Sequence, residues 1–297
     1  MKASPKMFSE SEAAANAAAP ERGFSTRSNV KRPVTSASSC AFQIGALLRA
    51  KSPRSVAFAF TLLALAISHR SHAASPTPIN DPVEGQKLAR ELRAVAPAEN
   101  TSLTATLRLT APGQPTREVP LKSNVSVTSS NWTSIYEAHP TNAPAEVLTI
   151  LHVPGEPNQY EWRQGERVTI FRGDAATNHF AGSDFALIDL GLEFFHWPTQ
   201  SLAFRQMRKS QGCDVLESRP AVVTSYTNVR SWIPQEARAE GSPGVLMAEA
   251  YDRKGLVKEF EIKDFERIAG RWEVREMEIR NVRARTSTRL RFQFHER

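Results

Sequence analysis

Two groups of residues in this sequence have types and spacing that could support chemistry. Glu193 and His196 form a Glu-x-x-His pair, which can supply two metal ligands from one helical turn. No matching pair or third ligand cluster accompanies them, and a salt bridge or cap at a helix end is the other interpretation. Cys213 with a distant histidine could form a nucleophile pair, or it could be a small buried residue at the start of a strand.

Motifs of the common enzyme classes are missing from the sequence. It contains no Gly-x-Ser-x-Gly elbow, no phosphate-binding loop and no Gly-x-Gly-x-x-Gly fingerprint. Two cysteines in the whole chain are too few for a four-cysteine zinc site or a disulfide framework. We therefore predict a protein that is not an enzyme, with no cofactor and no metal.

The distribution of charge argues against a nucleic-acid partner. The formal net charge is +7, and the first 73 residues carry ten basic and three acidic residues. The rest of the chain is therefore neutral overall, whereas a nucleic-acid-binding domain needs a basic face of its own. The apolar content of 40% with 23% charged residues is typical of a globular protein.

The N-terminal part has the pattern of a secretory signal peptide. Basic residues precede an apolar run at 56–67, which is shorter than the roughly 20 residues of a membrane-spanning helix, and Ser71-His72-Ala73 follows as a small-residue cleavage site. A buried helix or an uncleaved anchor is the alternative. Cleavage would remove Cys40 with the leader. We predict a leader over 1–73, a proline-rich linker over 74–83, a folded domain over 84–297 and a periplasmic location.

The remaining chain alternates as half-buried strands do. Asp81-Pro82 starts a helix that ends near Ala96, and the apolar period then changes from about 3.6 to 2. Loops are short and long crossover helices are missing, so we predict an antiparallel meander of roughly ten strands. A sheet of that length must curl. One further helix is expected from Ser183 to about Trp197, with more apolar surface than a surface helix needs.

Two details of the sheet are also predicted. Tyr160 and Trp162 followed by Val168 and Ile170 indicate a hairpin around Gln164-Gly165. In the segment 271–279 the apolar positions change parity between Val274 and Met277, which predicts a β-bulge there.

The order of several short motifs resembles that of a known family. The motifs are Phe180-Ala-Gly-Ser-Asp-Phe185 with Asp189-Leu190, Cys213-Asp-Val-Leu-Glu217, Tyr226-x-x-Val229-x-x-Trp232-Ile233, Val245-Leu-Met-Ala-Glu-Ala-Tyr-Asp252, Gly255-x-x-x-Lys258-Glu-Phe260, Gly270-Arg-Trp272 and Met277-x-Ile279-x-Asn281. Together they resemble the outer-membrane lipoprotein-sorting family, the LolA-like superfamily. The chain is most similar to a branch of largely uncharacterised bacterial proteins with a Gly-[Ser/Thr]-Asp-Phe-x-x-x-Asp-Leu segment.

The resemblance covers about residues 84–297 and implies a mainly β (α+β) fold. This is a curled antiparallel sheet forming an unclosed half-barrel, with helices covering its concave face. It also implies a hydrophobic cavity for the acyl chains of a lipoprotein or lipid, with membrane donor and acceptor proteins as possible partners. The family has no catalytic residues to transfer, and the Gly-Ser-Asp-Phe segment departs from the classical carrier.

A physical argument leads to the same kind of site. Exposing an acyl chain to water costs about 0.8 kcal/mol per CH₂, so chains need shielding to cross an aqueous compartment. We expect residues 183–197 to form a lid that refills the cavity when it is empty. The expected ligand-binding residues are Phe185, Phe194, Trp197, Phe260, Trp272, Phe292 and Phe294.

Two alternatives remain open at this point. The same aromatic residues could be ordinary core, with no cavity, and Ser183 and Asp184 could act only as helix caps. The protein could also be a periplasmic interaction or scaffold module that binds a partner by an open sheet edge and carries no lipid.

Overall fold

The structure, a computed structural model, describes residues 77–268 and 271–294 and contains one antiparallel sheet of 13 strands. The predicted signal peptide with its apolar run at 56–67, and Cys40, lie outside the described residues. The strands are β1 (Thr101–Thr110), β2 (Arg117–Val127), β3 (Trp132–Ala138), β4 (Glu146–His152), β5 (Gln159–Gln164), β6 (Arg167–Arg172), β7 (Thr199–Arg208), β8 (Gln211–Arg219), β9 (Asn228–Pro234), β10 (Met247–Asp252), β11 (Gly255–Ile268), β12 (Arg271–Asn281) and β13 (Thr286–Gln293). The α-helices are α1 (Pro82–Ala94), α2 (Leu187–Leu190) and α3 (Gln235–Ala239).

The order of the strands shows how the sheet is built. Strands β1 to β6 form one meander and β7 to β13 a second, and the two are joined because β1 pairs with β13. In that pair Ala105 lies opposite Phe292 and Leu107 opposite Leu290, so the buried residues of both strands share one face. β6 and β7 are the two ends of the sheet, which is not closed into a barrel. The predicted antiparallel, mainly β fold is confirmed, with three more strands than expected.

Helix α1 begins where the sequence predicts. The Asp81 side chain accepts hydrogen bonds from the backbone N–H groups of Val83 and Glu84, which caps the helix at Pro82. Leu88 and Leu92 are buried, whereas Val83 in the first turn is 78% exposed. The helix ends two residues earlier than expected, at Ala94.

The predicted helix from Ser183 to Trp197 is wrong. This stretch contains only α2 and a 3-10 turn at Glu193–His196. Leu192 between them has a φ of 51°, in the left-handed region that interrupts a helix. The Asp189 carboxylate accepts a hydrogen bond from Ala186 N at the start of α2, so the cap lies downstream of Ser183. Strong hydrophobicity misled the prediction, since buried turns and buried helices are equally apolar.

The two predicted sheet details have different outcomes. The hairpin of β5 and β6 is confirmed, but Val168 and Ile170 are 48% and 71% exposed, and Phe171 is the residue that faces Tyr160. The predicted bulge is confirmed, because the register of β11 and β12 shifts between Ile262 and Phe265, opposite the parity change. No helix within the described residues has both the length and the apolar character needed to cross a membrane.

The two edges of the sheet are different. Ile79 N donates to Ala203 O (2.8 Å), and Asp81 and Leu202 exchange two backbone hydrogen bonds of 3.1 and 2.9 Å, so the chain before α1 pairs with the outer edge of β7. No described segment pairs with the outer edge of β6 in this way. One edge is therefore covered and the other is bare.

Candidate functional site

Residues 173–198 connect β6 to β7 and therefore pass from one end of the sheet to the other. We call this stretch the crossing segment. Its buried apolar residues belong to the same hydrophobic core as the inward-facing residues of the strands and α1. They are Ala176, Phe180, Ala181, Phe185, Ala186, Leu187, Ile188, Leu190, Phe194, Phe195 and Trp197. The crossing segment therefore contributes a substantial part of the core beside the residues of the strands.

The backbone of the crossing segment does not join the sheet. Among the described residues, the backbone groups of 176–197 form backbone hydrogen bonds only within the segment itself, for example from Phe180 N to Phe185 O and from Ile188 N to Ala176 O. All of its polar links to the strands run through side chains. Movement of the segment would therefore not require any strand pair to break.

Near the start of the segment, Glu146 of β4 provides the first of these links. Its side chain is mostly buried and accepts hydrogen bonds from Ala181 N and Trp162 Nε1, each 3.0 Å long. Ala181 has a φ of 52°, a conformation that a non-glycine residue adopts only when its surroundings hold it there. The carboxylate thus fixes a turn that is otherwise unfavourable.

A second link lies in the middle of the sheet, on β13. Asp184 N donates to Thr288 Oγ1 (2.9 Å), and the Asp184 carboxylate accepts from Thr288 Oγ1 (3.0 Å) and Thr286 Oγ1 (2.6 Å). Phe185 N donates to Ser183 Oγ (3.2 Å). Ser183 and Asp184 thus hold a turn of the crossing segment against the sheet, as capping residues do, although no helix begins at Ser183.

A buried ion pair forms the third link. Lys258 Nζ of β11 lies 2.9 Å from Asp189 Oδ2, and Tyr226 OH donates to Asp189 Oδ1 at 2.9 Å. Lys258 is only 5% exposed and its ammonium also lies over the Tyr226 ring. Burial and the neighbouring Asp189 charge raise the pKa of the Tyr226 phenol, which keeps it a donor.

Near the end of the segment, Glu193 is the acceptor. Its carboxylate accepts from Tyr160 OH (2.9 Å) and Asn158 N (3.3 Å), and Asn158 Nδ2 donates to Gly191 O (2.8 Å). A Cβ at Gly191 would lie 2.2 Å from Tyr160 OH, so glycine is required for this close approach. Burial raises the pKa of Glu193 to about 7.

The two groups that could have done chemistry have other roles here. Glu193 is hydrogen-bonded as described, and the described residues contain no group of three or more side chains placed to hold a metal ion. Cys213 is buried, and burial raises its pKa to about 11, which disfavours the thiolate.

The residues predicted to bind a ligand lie largely in one place. Phe185, Phe194, Trp197 and Phe292 are buried in the shared core, and Phe260 and Phe294 pack against it. Trp272 is half-buried on β12 and is not part of this core. Whether any of them contacts a ligand remains a prediction.

Two small cavities border the crossing segment. They have volumes of about 30 Å³ each and lie next to residues 191–192, and both are bordered by the stacked pair Trp132 and His152. Neither cavity has the volume of an acyl chain.

A larger cleft of about 430 Å³ has a different character. Phe292 and Phe294 border it, but the rest of its lining is polar or charged. These polar residues are Thr106, Arg108, Glu118, Glu266, Arg275, Glu276, Arg289, Arg291 and Gln293. Such a lining cannot replace an apolar surface for a hydrocarbon chain.

The sequence analysis missed the buried polar links, although a signal was present. Glu146, Lys258 and Thr288 each have the parity of the inward-facing apolar residues that follow them on the same strand. The corresponding rows are Glu146-Leu148-Ile150, Lys258-Phe260-Ile262 and Thr288-Leu290-Phe292. A polar residue in an inward row must find a partner inside the core, and here that partner is the crossing segment.

Comparison with known proteins agrees with this architecture. A family model with the description "Uncharacterized protein" matches residues 146–296, just over half of the chain. The chain belongs to this family. No curated protein matches the chain.

Three solved structures are similar to the chain. The first is a DUF1329 family protein from Desulfovibrio piger, with a TM-score of 0.58 and 19% sequence identity over 72% of this chain and 92% of that one. The second is a putative outer membrane lipoprotein-sorting protein domain from Vibrio parahaemolyticus, with a TM-score of 0.57 and 19% identity over 72% of this chain and 92% of that one. The third is a LolA superfamily protein from Nitrosomonas europaea, with a TM-score of 0.51 and 15% identity over 73% of this chain and 92% of that one. At these identities the likeness establishes the fold. The family resemblance predicted from the sequence is confirmed, and the fold is LolA-like.

Proposed function

We propose that the protein is a non-enzymatic carrier that shields the acyl chains of a lipoprotein or lipid in the periplasm. The fold shared with LolA superfamily structures supports a lipid-binding role. Export by a signal peptide over 1–73, with its apolar run at 56–67, is part of the proposal, as are the linker at 74–83 and the carrier domain at 84–297. A donor and an acceptor protein in the membranes would complete the route.

The observation that carries the proposal is the attachment of the crossing segment. It places aromatic and aliphatic side chains in the core, yet within the described residues the backbone of 176–197 forms no hydrogen bond to the backbone of a strand. In the closed state Phe185, Phe194 and Trp197 occupy the space that acyl chains would take. Because both states bury apolar surface, exchanging the segment for cargo changes the free energy little, as release of the cargo requires.

In the loaded state the segment moves away from the sheet, and the half-barrel holds the chains on its concave face. Phe260, Trp272, Phe292 and Phe294 are then the proposed wall residues on the strands. The two remaining cavities are too small for an acyl chain, so loading depends on this movement.

A reversible disulfide tests this mechanism. Asp184 N and the Asp184 carboxylate both contact Thr288 Oγ1, so cysteines at these two positions would lie close to each other. Cys213 is buried and can stay in place. The variant Asp184→Cys/Thr288→Cys should bind a fluorescent fatty acid when reduced and lose binding when oxidised. A single Asp184→Cys variant, treated in the same way, is the control.

Two results would contradict the proposal, the first its mechanism and the second the carrier itself. One is equal binding by the oxidised and reduced forms, which would mean that the segment need not move. The other is the absence of lipid in native mass spectrometry of protein purified from the periplasm, together with no binding of the fluorescent fatty acid.

A periplasmic scaffold without lipid cargo is the second candidate, and the bare edge of β6 favours it. Val168 and Ile170 are exposed there, and an extended peptide could add a strand. A partner that co-purifies with the native chain but not with an Ile170→Pro variant, while no lipid is found, would support the scaffold.

A further inference from the structure

One of the two small cavities has an unusual polar lining. It lies between α1, the turn after β4 and the crossing segment, and it is bordered by Arg93, His152, Asn158 and His196. Two buried atoms of this lining, Asn158 Oδ1 and His196 Nδ1, have no hydrogen-bond partner. Asn158 is completely buried. Buried polar atoms of this kind are normally paired, so the site lacks a partner group.

The unpaired atoms define the chemistry of that group. Asn158 Nδ2 already donates to Gly191 O, which leaves Oδ1 as an acceptor that needs a donor. His196 can donate from Nδ1, and burial lowers its pKa to about 4, so the ring is neutral. Arg93, whose guanidinium can only donate, also borders the cavity. A single oxygen that both donates and accepts fits all three residues, and a hydroxyl is the simplest such group.

The second cavity continues this site in an apolar direction. It shares Trp132, His152, Gly191 and Leu192 with the first, and its other lining includes Val125 and Leu190. About 30 Å³ is enough for one or two water-sized groups. A polar head in the first cavity would therefore lead its hydrocarbon chain past Leu192 towards the core that the crossing segment fills.

We infer that the cavity around Arg93, Asn158 and His196 binds the hydroxyl-bearing head of a single-chain lipid, such as a monoacylglycerol. This inference rests on the proposed carrier function and adds the chemistry of the head group. The hydroxyl donates to Asn158 Oδ1 and accepts from His196 and Arg93. A methyl ester of the same chain has no donor for Asn158, and an ionised fatty acid has none either.

Displacement of a fluorescent fatty acid by two matched lipids tests the inference. Monododecanoylglycerol should bind about tenfold more tightly than methyl dodecanoate, the gain expected from one or two additional buried hydrogen bonds. His196→Leu and Arg93→Gln should each reduce this ratio to about twofold or less, with the loss falling mainly on monododecanoylglycerol. Arg90→Gln, an exposed position on the same helix, is the control and should keep the full ratio.

The possible failures can be told apart. Equal affinity of the native protein for both lipids would mean that the cavity holds only water, which overturns the head-group site and leaves the carrier standing. Equal losses for both lipids in His196→Leu would show a structural role for the imidazole and would also overturn the site. If neither lipid displaces the probe and the probe itself does not bind, the carrier proposal fails together with this one.

Discussion

Helix α1 and the crossing segment both pack into the same core, but they are attached in different ways. Residues 79–81, just before α1, pair with the backbone of β7. Arg238 of α3 then holds the helix through Glu84 and Glu91, each at 2.6 Å, and also binds the buried Asp214 at 3.0 Å. Within the described residues, the backbone of 176–197 has no strand partner, and single side chains such as Lys258 and Glu146 link it to the sheet.

The two elements differ in what would be lost if each moved away from the sheet. Removing α1 would break backbone pairs and expose an edge of the sheet, so it belongs to the unit that folds cooperatively. The crossing segment contributes more apolar surface, yet only a few side-chain contacts position it. The carrier proposal thus assigns stability and movement to different parts of one core.

The largest effect is expected from removing the cation that faces Asp189. Lys258→Met leaves a buried carboxylate without its ion pair, which costs about 3–5 kcal/mol. The loss should fall on the crossing segment, so hydrogen exchange should accelerate in 176–197 while the strands stay protected. Affinity for a fluorescent fatty acid should rise, because the closed state is weakened. Uniform acceleration over the sheet would show that the segment is not a separate unit.

A substitution in α1 should have the opposite consequence for binding. Leu88→Ala creates a cavity in the shared core and should reduce the free energy of unfolding by about 2–5 kcal/mol in chemical denaturation. Since α1 belongs to the cooperative unit, exchange should accelerate over the whole domain and lipid affinity should not rise. Val83→Ala, at the exposed position on the same helix, is the matched control and should have no measurable effect. Selective opening of the crossing segment by Leu88→Ala would contradict the comparison.

The protonation of Glu193, the buried acid near the end of the crossing segment, should be visible in the pH dependence of the free energy of unfolding. The pKa of Glu193 is raised to about 7, so between the unfolded value near 4.5 and pH 7 the folded state holds a proton that the unfolded state has lost. Glu193 therefore makes the fold less stable as pH rises through this range, by up to about 3 kcal/mol. Glu193→Gln should be more stabilising, or less destabilising, at pH 8 than at pH 5. A constant difference between variant and native protein at the two pH values would contradict this assignment.

His152 and His196 act in the opposite sense. Burial lowers the pKa of each to about 4, so the unfolded state binds more protons between pH 4 and 6.5, and their contribution to stability rises with pH in that range. The Glu193→Gln variant should therefore show a steeper rise than the native protein.

The smallest effect is expected at the bare edge. Ile170→Lys replaces a side chain that is 71% exposed and should change the free energy of unfolding by no more than about 0.5 kcal/mol. Lipid affinity should be unchanged, and any self-association seen by light scattering should decrease, since charge on an edge strand opposes pairing. A loss of more than 1–2 kcal/mol in the free energy of unfolding would mean that Ile170 contributes to packing in spite of its exposure.

The sheet could be predicted from the sequence wherever inward and outward residues differ in polarity. The rows Leu103-Ala105-Leu107 and Leu290-Phe292 and the bulge before Met277 follow directly from alternation. At β6 the rule failed, because an edge strand can leave Val168 and Ile170 exposed when no layer covers them. Local pattern also could not show that β1 pairs with β13, since this contact depends on the whole chain.

The candidate site was predictable in its apolar part only. The density of large residues in 183–197 indicated a buried element, but the residues that position it are single polar side chains on distant strands. Lys258 and Asp189 are 69 residues apart in the sequence, and Glu146 and Ala181 are 35 apart. No spacing rule connects such pairs. The one sequence signal for them is a polar residue at an inward-facing position of a strand with no partner nearby in the sequence.

The pairing of β1 with β13 has a consequence for how the molecule forms. Thr104 and Gln293 touch across that pair although 189 residues separate them in the sequence. These two strands can pair only after all the strands between them have been synthesised. Closing so long a loop has the largest entropic cost of any pairing in the sheet, so we expect it to be the slowest step of folding. A chain that emerges gradually through a narrow pore stays in two unjoined halves until its last strand arrives.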